Sequence, residues 1–136
     1  MMKLEEARAQ VEQAEKEDKL RVEFLLSKGD FSEDGYPTDD ALEIIEKWHW
    51  IDSEGWFKFI KDIWYLSSWG WHEGTILDEW SDTEMYQYNI STAGWSGNES
   101  IIAAMQRNWM MWNITWVQSR RGGHYIFEKK TFDGDV

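Results

Sequence analysis

MYQYNISTAGWSGNESIIAAMQRNWMMWNITWVQSRRGGHYIFEKKT, residues Met85–Thr131, reads in succession as a strand, a turn, a helix and two further strands. Met85–Thr92 alternates and is rich in Tyr, Ile and Thr, the composition of a strand. Ala93–Asn98 is a glycine-bearing turn. Ser96 and Glu99 then stand in the S-x-x-E spacing of a capping box, which predicts a helix from Gly97 with Ile101, Ile102, Met105, Trp109 and Trp112 on its apolar face. Asn113–Arg121 and His124–Thr131 read as two strands joined by Gly122-Gly123, a two-residue turn that uses positive φ. The unit is β-α-β-β over 84–131. Pairing Arg121 with His124 places Ile114, Trp116, Gln118, Arg120, Tyr125, Phe127 and Lys129 on one face. Thr115, Val117, Ser119, Arg121, His124, Ile126, Glu128 and Lys130 then share the other. The first face is the more aromatic and is expected against helices.

Upstream the pattern is helical. Lys3–Ser27 reads as one extended helix, with Leu4, Ala7, Val11 and Ala14 in a thin stripe able to project into solvent or to dimerise weakly. Asp30–Pro37 is a loop by composition. Thr38 is an N-cap, with Asp39 and Asp40 favouring the helix dipole, and the helix carries Ala41, Ile44, Ile45 and Trp48 on one face. Asp52 or Ser53 restarts a helix with Trp56, Ile60, Ile63, Trp64 and Ser67 in its stripe. Trp69–Thr83 shows no clear period and reads mainly as loop. The expected architecture is one α+β domain over 1–136: an N-terminal helix (1–28), a helical part (38–68) and the β-α-β-β part (84–131).

Composition bounds the function. The chain has 136 residues, 26 acidic and 14 basic, for a net charge of −12. Residues 1–84 hold 22 acids and 9 bases, whereas 85–131 hold two acids against five bases, Arg107, Arg120, Arg121, Lys129 and Lys130. Such a net charge opposes the phosphate electrostatics of nucleic-acid binding, so nucleic acid is disfavoured as the main ligand. An acidic helical surface suits a basic partner instead. The lack of cysteine removes disulfides, thiol catalysis and thiolate metal sites. No apolar run reaches the ~18 residues of a membrane span, and the charged Met1–Lys28 does not read as a signal peptide. A cytoplasmic protein without membrane contact is the expectation.

Two places suit ligand recognition. The turn Gly94–Asn98, with Trp95, Ser96, Gly97 and Asn98, sits between a strand and a helix start, where free amides and the dipole can hold a phosphate or carboxylate. It is neither a Walker loop nor a dinucleotide fingerprint, and the ordinary reading is a capped helix. The hairpin tip Arg120-Arg121-Gly122-Gly123-His124-Tyr125 offers two guanidiniums and an imidazole to an anion or an acidic protein surface. Its ordinary reading is a tight turn flanked by exposed strand ends. His49, His72 and His124 form no metal-binding spacing, no cofactor motif occurs, and no serine-nucleophile signature appears. Among the eleven tryptophans, Trp48, Trp56, Trp64, Trp109, Trp112 and Trp116 fall on apolar faces and read as core. Trp50, Trp69, Trp71, Trp80 and Trp95 lie off those stripes, and at least two of them are expected to line a groove or partner surface.

The runs Ile90–Glu99 (ISTAGWSGNE) and Trp116–Tyr125 (WVQSRRGGHY) resemble small uncharacterised proteins encoded by phages and prophages. The resemblance implies an accessory or host-interaction role in the cytoplasm of an infected or lysogenic bacterium, such as inhibition of a host defence. It brings no catalytic residues with it. The expected function is therefore a non-enzymatic protein that binds a host protein or complex, with Trp95, Arg120, Arg121 and His124 as one contact patch. The alternative is a small-ligand module that holds a nucleotide or other phosphate at Gly94–Asn98, clamped by Arg120 and Arg121. An enzyme acting on such a ligand is the third reading.

Overall fold

The computed structural model describes residues 31–78 and 80–130, together with helical positions 6, 8–10, 12, 13 and 16. The stripe residues Leu4, Ala7, Val11 and Ala14, the stretch to Ser27 and the strand end at Thr131 lie outside the described residues. The fold is α+β. In chain order it comprises β1 (Ser32–Glu33), β2 (Tyr36–Pro37), α1 (Asp39–Lys47), α2 (Ser53–Ile63), α3 (Ser67–Gly70), β3 (Trp71–Asp78), β4 (Thr83–Ser91), α4 (Ser96–Arg107), α5 (Trp109–Thr115), β5 (Trp116–Arg120) and β6 (His124–Lys130).

Local chemistry sets the first helices. The Asp34-Gly35 pair takes φ of 54° and 84° and turns β1 back onto β2, so the expected loop at 30–37 contains a two-residue hairpin. Thr38 caps α1, its hydroxyl accepting from Ala41 N at 3.2 Å. Asp52 caps α2 through Gly55 N at 3.0 Å. Ala41, Ile44 and Ile45 of α1 and Trp56, Phe57 and Ile60 of α2 are fully or almost fully buried, as their helical spacing requires.

The main sheet has four antiparallel strands in the order β3-β4-β6-β5. Trp69–Thr83 is thus not mainly loop: Trp71–Asp78 pairs along its whole length with Thr83–Ser91. β3 is an edge strand in which only Trp71 is buried; Glu73, Thr75 and Leu77 share its face but are exposed, so it lacks apolar alternation. One sheet face supplies Trp71, Tyr88, Ile90 and Phe127 to the core. Phe57 stacks on Tyr88 with ring centroids 4.0 Å apart and meets Phe127 at 5.4 Å.

Three further expectations change. The helix after Ser96 stops at Arg107 and restarts at Trp109, because Asn108 turns its side chain back to donate to the carbonyls of Ile45 (3.0 Å) and Trp48 (2.8 Å). These bonds satisfy the carboxyl end of α1, and the break carries Trp109 out of the core to 63% exposure. Residues 113–115 belong to α5, so β5 starts only at Trp116.

The hairpin register also differs by one: Arg120, not Arg121, pairs with His124, across a three-residue loop Arg121-Gly122-Gly123. An irregularity between Trp116 and Gln118 then leaves Val117 as an extra residue and sets Trp116 opposite Phe127, where the expected register had it opposite Lys129. Gln118 and Arg120 consequently join His124 and Ile126 on the outer face. Tyr125 and Phe127 stay on the core face as expected.

Candidate binding sites

The Gly94–Asn98 turn is buried only at its Gly97-Asn98 end. Trp95, not Ser96, is the N-cap of α4, and neither side chain makes a cap bond, so the expected capping box is not formed. Trp95 Nε1 donates to the Gly35 carbonyl at 2.6 Å, and its ring stacks on Tyr65 (4.5 Å) and against Tyr36 (4.8 Å). Asn98 is 0% exposed. Its Oδ1 accepts from Tyr65 N at 3.0 Å and its Nδ2 donates to Tyr65 O at 2.9 Å. A Cβ on Gly97 would stand 2.8 Å from the Gly35 carbonyl oxygen, so the β1–β2 hairpin closes over the start of α4. Trp95, Gly97 and Asn98 are gathered by Gly35, Tyr36 and Tyr65, while Ser96 is exposed.

The hairpin tip reaches this turn through backbone alone. Thr92 N donates to the Gly123 carbonyl at 3.0 Å. Arg120 and His124 line a different place, a hollow of about 490 Å³ on the outer sheet face, with Trp69 of α3, His72 of β3, and Asn89 and Ser91 of β4. Ile126 and Tyr125 also border it, and Ile126 is nearly buried. Arg121 is exposed on the tip and does not border it. Of the eight residues singled out in the sequence, the hollow therefore unites Arg120, His124 and Tyr125. Trp69, His72, Asn89 and Ser91 were not singled out together, because only strand pairing aligns His72 with Asn89 and Ser91 with His124.

A second polar cluster lies beside the core. Glu73 accepts from Trp71 Nε1 (2.6 Å) and from the Tyr86 hydroxyl (2.7 Å), with Lys61 Nζ at 3.9 Å. Partial burial pushes the Glu73 carboxyl up. The two donors and the charges of Lys61 and Lys129 outweigh it and hold the group below its ordinary value. The hydrogen bond to Glu73, with some burial, pushes Tyr86 up to about 12. An anchored carboxylate beside a neutral phenol is a fixed network with no proton to exchange near neutral pH.

Tryptophan exposure departs from the stripes. Trp71 is core, whereas Trp109 and Trp116 are exposed. Trp50, Trp69 and Trp80 are exposed, Trp80 to 98%. Trp109, Met110 and Ile114 on the outer side of α5 continue into Trp116 and Val117 of the edge strand β5, so five large apolar side chains stand exposed between 109 and 117. Among the described residues no group of three His, Asp or Glu side chains could hold a metal ion, and no helix is long and apolar enough to cross a membrane. Compared with protein-family models, curated proteins and solved structures, the chain gives no match.

Proposed function

We propose that this chain is a non-enzymatic interaction protein that binds a host protein through the exposed surface of α5 and β5. The observation that supports this reading is the run Trp109, Met110, Ile114, Trp116 and Val117, large apolar groups exposed to water along α5 and the start of β5. Exposed tryptophan and aliphatic side chains grouped in this way serve as interface anchors. No Asp or Glu occurs between Glu99 and Glu128, while Arg120 and Arg121 do; Arg107 is paired with Glu46. The fitting partner has an apolar ridge or groove with an acidic rim, and an accessory role against a host system follows the sequence resemblance. Nucleic acid is disfavoured by the net charge of −12.

The test is a photo-crosslinking residue at Ile114, with a second at Trp80 as the remote exposed reference, in lysate of a bacterial host. The expected result is one saturable adduct from position 114 and none from position 80. Adding Trp109→Ser and Val117→Ser should lower the adduct about tenfold. Equal labelling from both positions, or no saturable adduct, overturns the reading.

A further inference from the structure

We propose that the hollow on the outer sheet face binds a small organic anion carrying a flat ring, of which a nucleoside monophosphate is the simplest form. The chain is acidic overall, yet none of the described residues lining this hollow is Asp or Glu. The polar groups there are the Arg120 guanidinium, the His72 and His124 imidazoles, the Asn89 carboxamide and the Ser91 hydroxyl. They arrive from β3, β4, β5 and β6, so the pairing of the whole sheet is needed to assemble them. Aromatic and apolar walls, here Trp69, Tyr125 and Ile126, with a few polar groups among them are the usual composition of a small-ligand pocket.

Arg120 is the residue that selects charge. It makes no ion pair with any described residue, and its Nε reaches only the Gln118 side-chain oxygen at 3.4 Å. A guanidinium with so weak a partner keeps its paired donors for a bidentate phosphate or carboxylate. Trp69 selects the ring. Its indole is 61% exposed at the border of the hollow. His72 Nε2 donates to the Trp69 backbone carbonyl at 3.0 Å, which ties α3 to β3. A face of this kind stacks on a planar heterocycle with little regard to sequence or substituent. A volume of about 490 Å³ exceeds the needs of a lone phosphate and falls within the ~300–1,000 Å³ of small-molecule sites. The site shares Arg120 with the rim of the α5–β5 surface but none of its apolar anchors, so Trp69→Ser and the small-molecule probes test it separately from that reading.

The experiment is calorimetric titration of the full chain with AMP, UMP, 4-hydroxybenzoate and inorganic phosphate. At least one ring-bearing anion should bind with a dissociation constant of about 1 mM or below, and inorganic phosphate about tenfold more weakly. The nucleotide and benzoate arms separate a phosphate from a carboxylate as the anion. Arg120→Gln and Trp69→Ser should each weaken the bound probe about tenfold, and Arg121→Gln should leave it unchanged. In amide spectra, the signals of Asn89, Ser91 and His124 should move on titration, which places the site without any variant. No binding by any ring-bearing probe overturns the proposal. So does binding that survives Arg120→Gln, or phosphate binding equal to that of the ring-bearing anions.

Discussion

The carboxamide of Asn98 engages both backbone polar groups of Tyr65, accepting from its N–H at 3.0 Å and donating to its carbonyl at 2.9 Å. The two residues are 33 positions apart, and Asn98 is wholly buried. This pair holds the segment after α2 against the first turn of α4.

Removing the carboxamide should therefore be costly. Asn98→Ala leaves both Tyr65 groups without their partner and opens a small void, which is expected to cost about 2–4 kcal/mol. Urea denaturation followed by tryptophan fluorescence reads the change. A loss below about 0.5 kcal/mol would mean that water replaces the side chain.

Trp95 offers a graded test of the same corner. Trp95→Phe keeps a ring against Tyr65 and Tyr36 but loses the donor to Gly35, with an expected cost of about 1–2 kcal/mol. Trp95→Ala should cost about 3–5 kcal/mol. Hydrogen exchange should show the extra loss concentrated at residues 32–37. Equal stability of the two variants would contradict the role of the ring.

Two glycines with similar backbone angles should respond differently to alanine. Gly94 has φ of 71° with open space at its Cβ position, whereas Gly123 has φ of 79° with Thr92 Oγ1 only 2.3 Å from that position. Gly94→Ala bears only the left-handed penalty, about 1 kcal/mol. Gly123→Ala adds a clash and strains the Thr92–Gly123 bond, for about 2–3 kcal/mol in total. Thermal melting of the two variants side by side decides it.

The Glu73–Tyr86 pair sets a pH signature at both ends. The folded state holds Glu73 below its ordinary value, so its contribution is present above the unfolded carboxylate pKa of about 4.3 and fades as pH falls through the lower folded value. Tyr86 is shifted the other way. Its contribution is complete below the unfolded value of about 10 and is lost as pH rises through about 12. Glu73→Gln should flatten the acid limb of stability against pH. In ultraviolet titration it should also return Tyr86 toward 10. An unmoved tyrosine would show that Glu73 is not its controlling neighbour.

Much of the fold was legible where local chemistry decides it. Thr38 and Asp52 cap the helices that follow them, and the spacing of Ile44, Ile45, Trp56 and Ile60 marks the buried faces. Strand β3 escaped because Glu73 and Thr75 share the face of Trp71, the carboxylate held there by Trp71, Tyr86 and Lys61, none of which is marked by sequence spacing. The Asn108 break has neither proline nor glycine. Its cause is a bond to α1 some 60 residues away. The hairpin register turned on a loop that takes Arg121 together with Gly122 and Gly123, three residues where the Gly-Gly pair suggests two. For the site, Arg120 and His124 were visible as charge at a turn. Trp69, His72, Asn89 and Ser91 join them only through strand order.

The extra residue at Val117 has a consequence for colloidal behaviour. An edge strand that exposes Trp116 and Val117 is a template on which foreign strands accrete. Two residues set against one break the even row of amide and carbonyl groups that an incoming strand must match in register. β5 thus displays its side chains while withholding a regular backbone ladder. Recognition by shape stays open at this edge, and indiscriminate growth of a fibre from it is checked.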